Sequence, residues 1–194
     1  MKRILFAAVL ILCMTAPVKA QSGLGSILGK VVGGLTQGGL KAEDLVGTWN
    51  YTGSAISFKS DDNVLSNLAS GAAVGTIENK LDGYLAKVGI SSGLFGFTFN
   101  ADGTMAVKYG SKQFSGTWTF DASASTVKMK MAGLVNATGN VTVRNGAMEL
   151  LFDSTTLMKI IKSLTTVYNN ATLQALNALL SQYDKMYAGF KMTK

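Results

Sequence analysis

Histidine is absent from this chain, and cysteine and proline occur once each, as Cys13 and Pro17. Without histidine, the commonest general acid–base group and the commonest metal ligand are both missing. The two single residues sit in the first twenty, where Lys2 and Arg3 precede an apolar run from Ile4 to Met14 and Val18-Lys19-Ala20 supplies a small-residue cleavage signal. The pattern reads as a secretory leader over residues 1–20, with a run too short to span a bilayer. A lipoprotein signal would use Cys13, but it wants a small residue just before the cysteine, and Leu12 is large. The exported chain is therefore expected to lack any thiol or disulfide, so that a hydrophobic core alone must hold it together. Its roughly 174 residues are ample for that, since a chain of this size buries about 70% of its unfolded surface.

Charge is sparse too, at 15% of residues. Loss of Lys2, Arg3 and Lys19 with the leader leaves 15 basic against 11 acidic residues, a net charge of +4. The lysines are scattered and the remaining chain has one arginine, Arg144, which speaks against nucleic acid as a partner. Neighbouring carboxylates occur at Glu43 and Asp44, at Asp61 and Asp62, and at Glu149 and Asp153. Each pair falls at an expected turn, helix cap or outward strand position, so all six are read as solvated rather than catalytic. No calcium loop and no glycine-rich phosphate loop is present, so neither a metal nor a cofactor is implied. An enzyme is not expected.

What the chain does have is glycine and strand periodicity. Residues 21–40 are glycine-rich, yet Leu24, Ile27, Leu28, Val31, Val32 and Leu35 fall at helical spacing with Gly25, Gly29 and Gly33 every fourth residue. Two readings stay open: a flexible arm, or a helix that meets the barrel, a lipid surface or a partner through Gly23 to Leu40. From Leu45 the pattern changes to period two, with Gly47, Trp49 and Tyr51 alternating against Thr48 and Asn50. The parity of the apolar set switches at Gly53-Ser54, which predicts a bulge or a bend. Asp61 and Asp62 then offer a helix cap, and Val64, Leu65, Leu68, Ala72, Ile77, Leu81, Tyr84, Leu85 and Val88 follow at helical spacing up to Gly89, with a break allowed near Gly71 and Gly75.

Alternation then resumes for most of the chain. Phe95, Phe97 and Phe99 lead through Asp102-Gly103 into Met105, Val107 and Tyr109, followed by Phe114 to Phe120, Val127 to Met131, and Val135 to Arg144. Asn145-Gly146 turns that last segment into Met148, Leu150 and Phe152. Asp153-Ser154 caps the first of two helices separated at Asn169-Asn170, and Phe190 and Met192 form a short last strand able to close the sheet on the first. The expected fold is mainly β with helices: an antiparallel up-and-down barrel of about eight strands over residues 41–194, with a helical insertion after strand 1 and two helices before the last strand.

Gly47-x-Trp49 on the first strand, the tight antiparallel turns, and a helix before a final short strand resemble the lipocalin (calycin) plan. Gly47 to Gly53, Ile56 to Asp62, Phe97 to Thr104 and Gly189 to Met192 are similar to an uncharacterised family of lipocalin-like secreted proteins from Gram-negative gut anaerobes. The resemblance covers about residues 40–194 and implies export to the periplasm or beyond, with attachment to the cell envelope left open. It departs from typical lipocalins in the residue that covers the tryptophan: Arg144 is on the polar parity of its strand, and only lysines such as Lys191 occur near the end. A Thr-Asp-Tyr signature on a middle turn is missing as well.

The inward set is dominated by rings, and Trp49, Tyr51, Phe97, Phe99, Tyr109 and Trp118 are the candidate wall of a pocket for a small apolar ligand or lipid. Tyr51, Tyr109 and Trp118 are its candidate polar handles, each joining an apolar body to one hydrogen-bonding atom. The competing reading makes the same rings the filling of the barrel, because about eight strands enclose just enough room for side chains or for one small ligand. A carrier and a solid-core interaction module of the cell envelope are the two functions to be separated.

Overall fold

The strand periodicity is realised as eight antiparallel strands that pair in sequence order and close on themselves. The computed structural model describes residues 39–58, 71–131, 135–165, 170–183 and 186–194. The expected leader, the arm up to residue 38 and the cap at Asp61-Asp62 lie outside the described residues. A short helix α1 (Ala42–Leu45) precedes β1 (Gly47–Phe58), and α2 (Gly71–Lys87) follows it. The meander β2 (Phe95–Phe99), β3 (Thr104–Tyr109), β4 (Lys112–Asp121), β5 (Thr126–Met131), β6 (Asn136–Arg144) and β7 (Ala147–Asp153) comes next. Helices α3 (Ser154–Leu164) and α4 (Asn170–Ser181) then lead to β8 (Met186–Thr193), which pairs with both β7 and β1.

Local chemistry accounts for the punctuation. Asn145 and Gly146 take φ of 51° and 76°, the left-handed pair that a two-residue hairpin needs. Asp153 caps α3 by accepting from the Thr156 backbone N–H at 2.9 Å and from its hydroxyl at 2.6 Å. Helix α2 ends in paired bonds from Ile90 N–H to the Leu85 carbonyl and from Gly89 N–H to the Ala86 carbonyl, the Schellman arrangement. The break expected near Gly75 does not occur. That glycine lies inside an unbroken helix whose stripe of Val74, Ile77, Leu81 and Leu85 is buried, and such burial outweighs the roughly 1 kcal/mol that an interior glycine costs.

The predicted bulge is present and has a structural consequence. The β1–β8 register shifts between Tyr51 and Gly53, while the β1–β2 pairing stops at Asn50 opposite Gly96. The second half of β1 thus keeps β8 but leaves β2, and α2 lies beside the freed edge. Its Asp82 accepts from Ser54 N–H at 2.7 Å and its Glu78 accepts from Ile56 N–H at 3.3 Å. Glu78 and Asp82 are one helical turn apart, so a single face of α2 satisfies the donors that a missing strand would have taken.

Candidate functional site

All six candidate wall residues are in the strands expected, and five of them are buried inside the barrel. Trp49 is fully buried near the end where the chain enters, and its indole N–H donates to the Leu45 carbonyl at 2.7 Å. Phe97 and Phe99 stack with centroids 6.0 Å apart, and Phe99 meets Trp118 at 5.1 Å. Tyr109 is only half-buried at the far end of β3. Two rings outside that set, Phe95 and Phe190, complete the mesh. Phe190 has its centroid 4.9 Å from Phe95, 6.0 Å from Phe97 and Tyr51, and 6.1 Å from Phe152. Even the place of a missing side chain is used: a Cβ on Gly139 would stand 2.7 Å from the Phe152 ring and 2.9 Å from Leu150.

The expected polar handles are already engaged. Tyr51 donates its hydroxyl proton to Asp82 at 2.6 Å, beside the Ser54 hydroxyl that bonds the same carboxylate oxygen. Burial pushes the Tyr51 phenol far above its ordinary value, and the Asp82 bond adds to the shift. Trp118 donates to the Asn100 carbonyl at 2.9 Å, and the Tyr109 hydroxyl donates to the Val88 carbonyl. Each handle therefore fastens a turn or helix to the barrel instead of presenting a free group to its interior.

The departure from the lipocalin plan holds: the cation over Trp49 is not Arg144, which is exposed as its polar parity implies, nor Lys191, which pairs with Glu78 at 2.7 Å. It is the last residue: Lys194 places its ammonium 4.7 Å from the Trp49 ring centroid and donates to the Asp44 carbonyl at 3.2 Å. Gly47, at φ +131°, makes room for it, since a Cβ there would be 3.2 Å from the lysine stem. Glu149 is half-buried, not solvated. Burial pushes its carboxyl above the ordinary value and Glu78 reinforces this, whereas Lys191 and Arg144 oppose it. Among the described residues, no group of three or more Asp, Glu, His or Cys could hold a metal ion.

Among the described residues, two surface hollows lie outside the barrel. One hollow of about 360 Å³ lies where α3 begins, between Asp153, Ser154 and Tyr183. The other, about 380 Å³, lies on the outward face of β1 to β4. Its lining includes Thr48, Asn50, Gly96, Thr98, Lys108 and Gln113, all polar or small, none of them acidic. The sequence singled out neither hollow, because each is lined by residues of elements distant in the chain.

The profile of the family described as "Lipocalin-like domain (DUF4923)" matches residues 24–194. Comparison with curated proteins gives no match. Among solved structures, a DUF4847 family protein from Bacteroides vulgatus ATCC 8482 is similar over 77% of this chain and 92% of its own, at 15% identity and a TM-score of 0.37. The family profile spans the closed barrel, all its helices and most of the glycine-rich segment before it, and on that match the chain belongs to the lipocalin-like domain family DUF4923.

Proposed function

We propose that this protein is an exported, non-catalytic barrel that works through its outer surface, with its interior given over to structure. The observation that carries this reading is the ring mesh around Phe190, in which four rings, Tyr51, Phe95, Phe97 and Phe152, lie with centroid separations from Phe190 of 4.9 to 6.1 Å. At such spacing aromatic rings are in contact, which argues against a ligand of the 300 to 1,000 Å³ that drug-sized pockets hold lying among them. The handles a ligand would need are spent on Asp82, Val88 and Asn100.

Non-catalytic action is supported by chemistry as well. The chain has no histidine, and the part-buried carboxylates Glu78 and Asp82 serve the β1 edge and the Lys191 pair. Export is supported by the leader pattern of residues 1–20, and the segment Gly23 to Leu40 would remain as an arm ahead of the barrel. The test is titration of the exported form with an environment-sensitive fluorescent fatty acid. The expected result is no saturable signal at micromolar probe, and a one-to-one saturable signal abolished by Trp118→Ala would instead establish the carrier.

A further inference from the structure

The hollow on the outward face of β1 to β4 has a floor that the fold itself keeps empty. Gly96 sits between Asn50 of β1 and Lys108 of β3, and a Cβ on it would stand 2.6 Å from the Trp49 carbonyl oxygen. No side chain can therefore rise there, and the neighbouring outward groups surround a depression of about 380 Å³, within the size range of small-molecule sites. The surrounding groups are hydroxyls and amides: Thr48 and Thr98, whose oxygens are 3.1 Å apart, with Asn50 and Gln113. Lys108 and Lys112, both exposed, add two cations. Lys108 is steadied by donating to the Gly93 carbonyl at 2.9 Å, which leaves two of its three protons for a ligand.

The charge around the hollow is one-signed. Of the described carboxylates, Glu43, Asp44, Glu78, Asp82, Glu149 and Asp153 belong to α1, α2 and β7, and Asp102 and Asp121 are tied into their own turns by Thr104 and Ser123. None lines the hollow. The ligand it suits carries a negative group for the two lysines and several hydroxyls for the amides and threonines. Nucleotide bases would need an aromatic or guanidinium plane to stack on, and the lining has neither. A protein partner or a membrane would need an apolar anchor, and among the described residues the only exposed large hydrophobic one is Leu94.

We propose that this hollow binds an acidic sugar, a carboxylate-bearing pyranose unit of a polysaccharide, with Lys108 and Lys112 on the carboxylate and Asn50, Thr48, Thr98 and Gln113 on the hydroxyls. The proposal rests on the reading that the outer surface, and not the interior, is what the protein uses.

The test is amide and indole chemical-shift mapping of the exported form with a short oligogalacturonate. The expected result is saturable shifts confined to residues of the hollow. Affinity should fall at least tenfold in the Lys108→Gln, Lys112→Gln double variant and stay within twofold of the parent in Lys128→Gln, Lys130→Gln, which alters two exposed lysines of β5. Equal binding of a neutral maltooligosaccharide, equal binding of polyglutamate, or no saturable shift in the hollow would each overturn the proposal. The Trp49 and Trp118 indole signals keep the two readings apart: they stay in place if only the sugar site is wrong, and move if a ligand enters the barrel.

Discussion

Phe190→Ala removes the ring at the centre of the barrel. A phenylalanine buries at least about 150 Å². At about 25 cal/mol per Å² the whole side chain is worth about 4 kcal/mol, of which alanine retains a minor part. A cavity term adds to the loss in proportion to how little the surroundings collapse. Here the neighbours are four other rings, Tyr51, Phe95, Phe97 and Phe152, on three different strands, so collapse would require separate strands to move together. The expected cost is about 4 kcal/mol, in the middle of the range for Phe→Ala in cores. For a domain of this size that corresponds to a fall in melting temperature of roughly 8 to 16 °C. Urea unfolding followed by the fluorescence of Trp49 and Trp118 measures it, with Phe114→Ala, a half-buried ring on β4, as the comparison expected to lose less than half as much. A cost below about 1.5 kcal/mol for Phe190→Ala, equal to that of Phe114→Ala, would mean that the centre is slack and would refute the filled interior.

Three other outcomes follow from particular bonds. Asp82→Ala strands the Ser54 N–H and the Tyr51 hydroxyl at the freed edge of β1 and should cost about 3 kcal/mol, whereas Asp82→Asn, which keeps an acceptor there, should cost clearly less; equal losses in denaturant midpoint would show that the carboxylate oxygen is not what holds the edge. Asp153→Ala deletes the α3 cap and should cost about 1 kcal/mol, read by thermal unfolding, with Asp153→Ser restoring most of it. Glu149 has its folded pKa raised by burial, so its contribution to stability is fully present below the unfolded value, about 4.3, and is lost as pH rises through the folded one. Glu149→Gln should therefore be more stable than the parent at pH 7.5, and that advantage should vanish towards pH 4; a variant less stable at pH 7.5 would show that the Lys191 attraction dominates instead.

The barrel was legible because alternation survives in most of its strands, and because the turns at Gly103 and Asn145-Gly146 use residues whose backbone preferences name the turn. The parity switch at Gly53-Ser54 even exposed the bulge. What alternation does not carry is which edge remains unpaired after such a bulge, so Glu78 and Asp82 looked like ordinary polar positions of a helix when they are the acceptors for β1. Parity put Arg144 on the polar face and left only lysines such as Lys191 near the end, without saying which residue is the tryptophan partner. It proved to be Lys194, because a terminal residue's reach depends on a glycine 147 positions earlier leaving its path open. The ring-rich interior was readable as a set, and Phe95 shared its parity with Phe97 and Phe99. Whether such a set encloses a cavity or fills it depends on volumes and on where each polar atom is spent, which no periodicity records.

Native mass spectrometry of the protein, taken from cells that make it and then incubated with a mixed lipid extract, tests the solid interior most directly. The account predicts the bare polypeptide mass before and after incubation, with no lipid released by organic extraction. A stoichiometric lipid adduct that survives desalting and is lost in Trp118→Ala would contradict it and make the barrel a carrier.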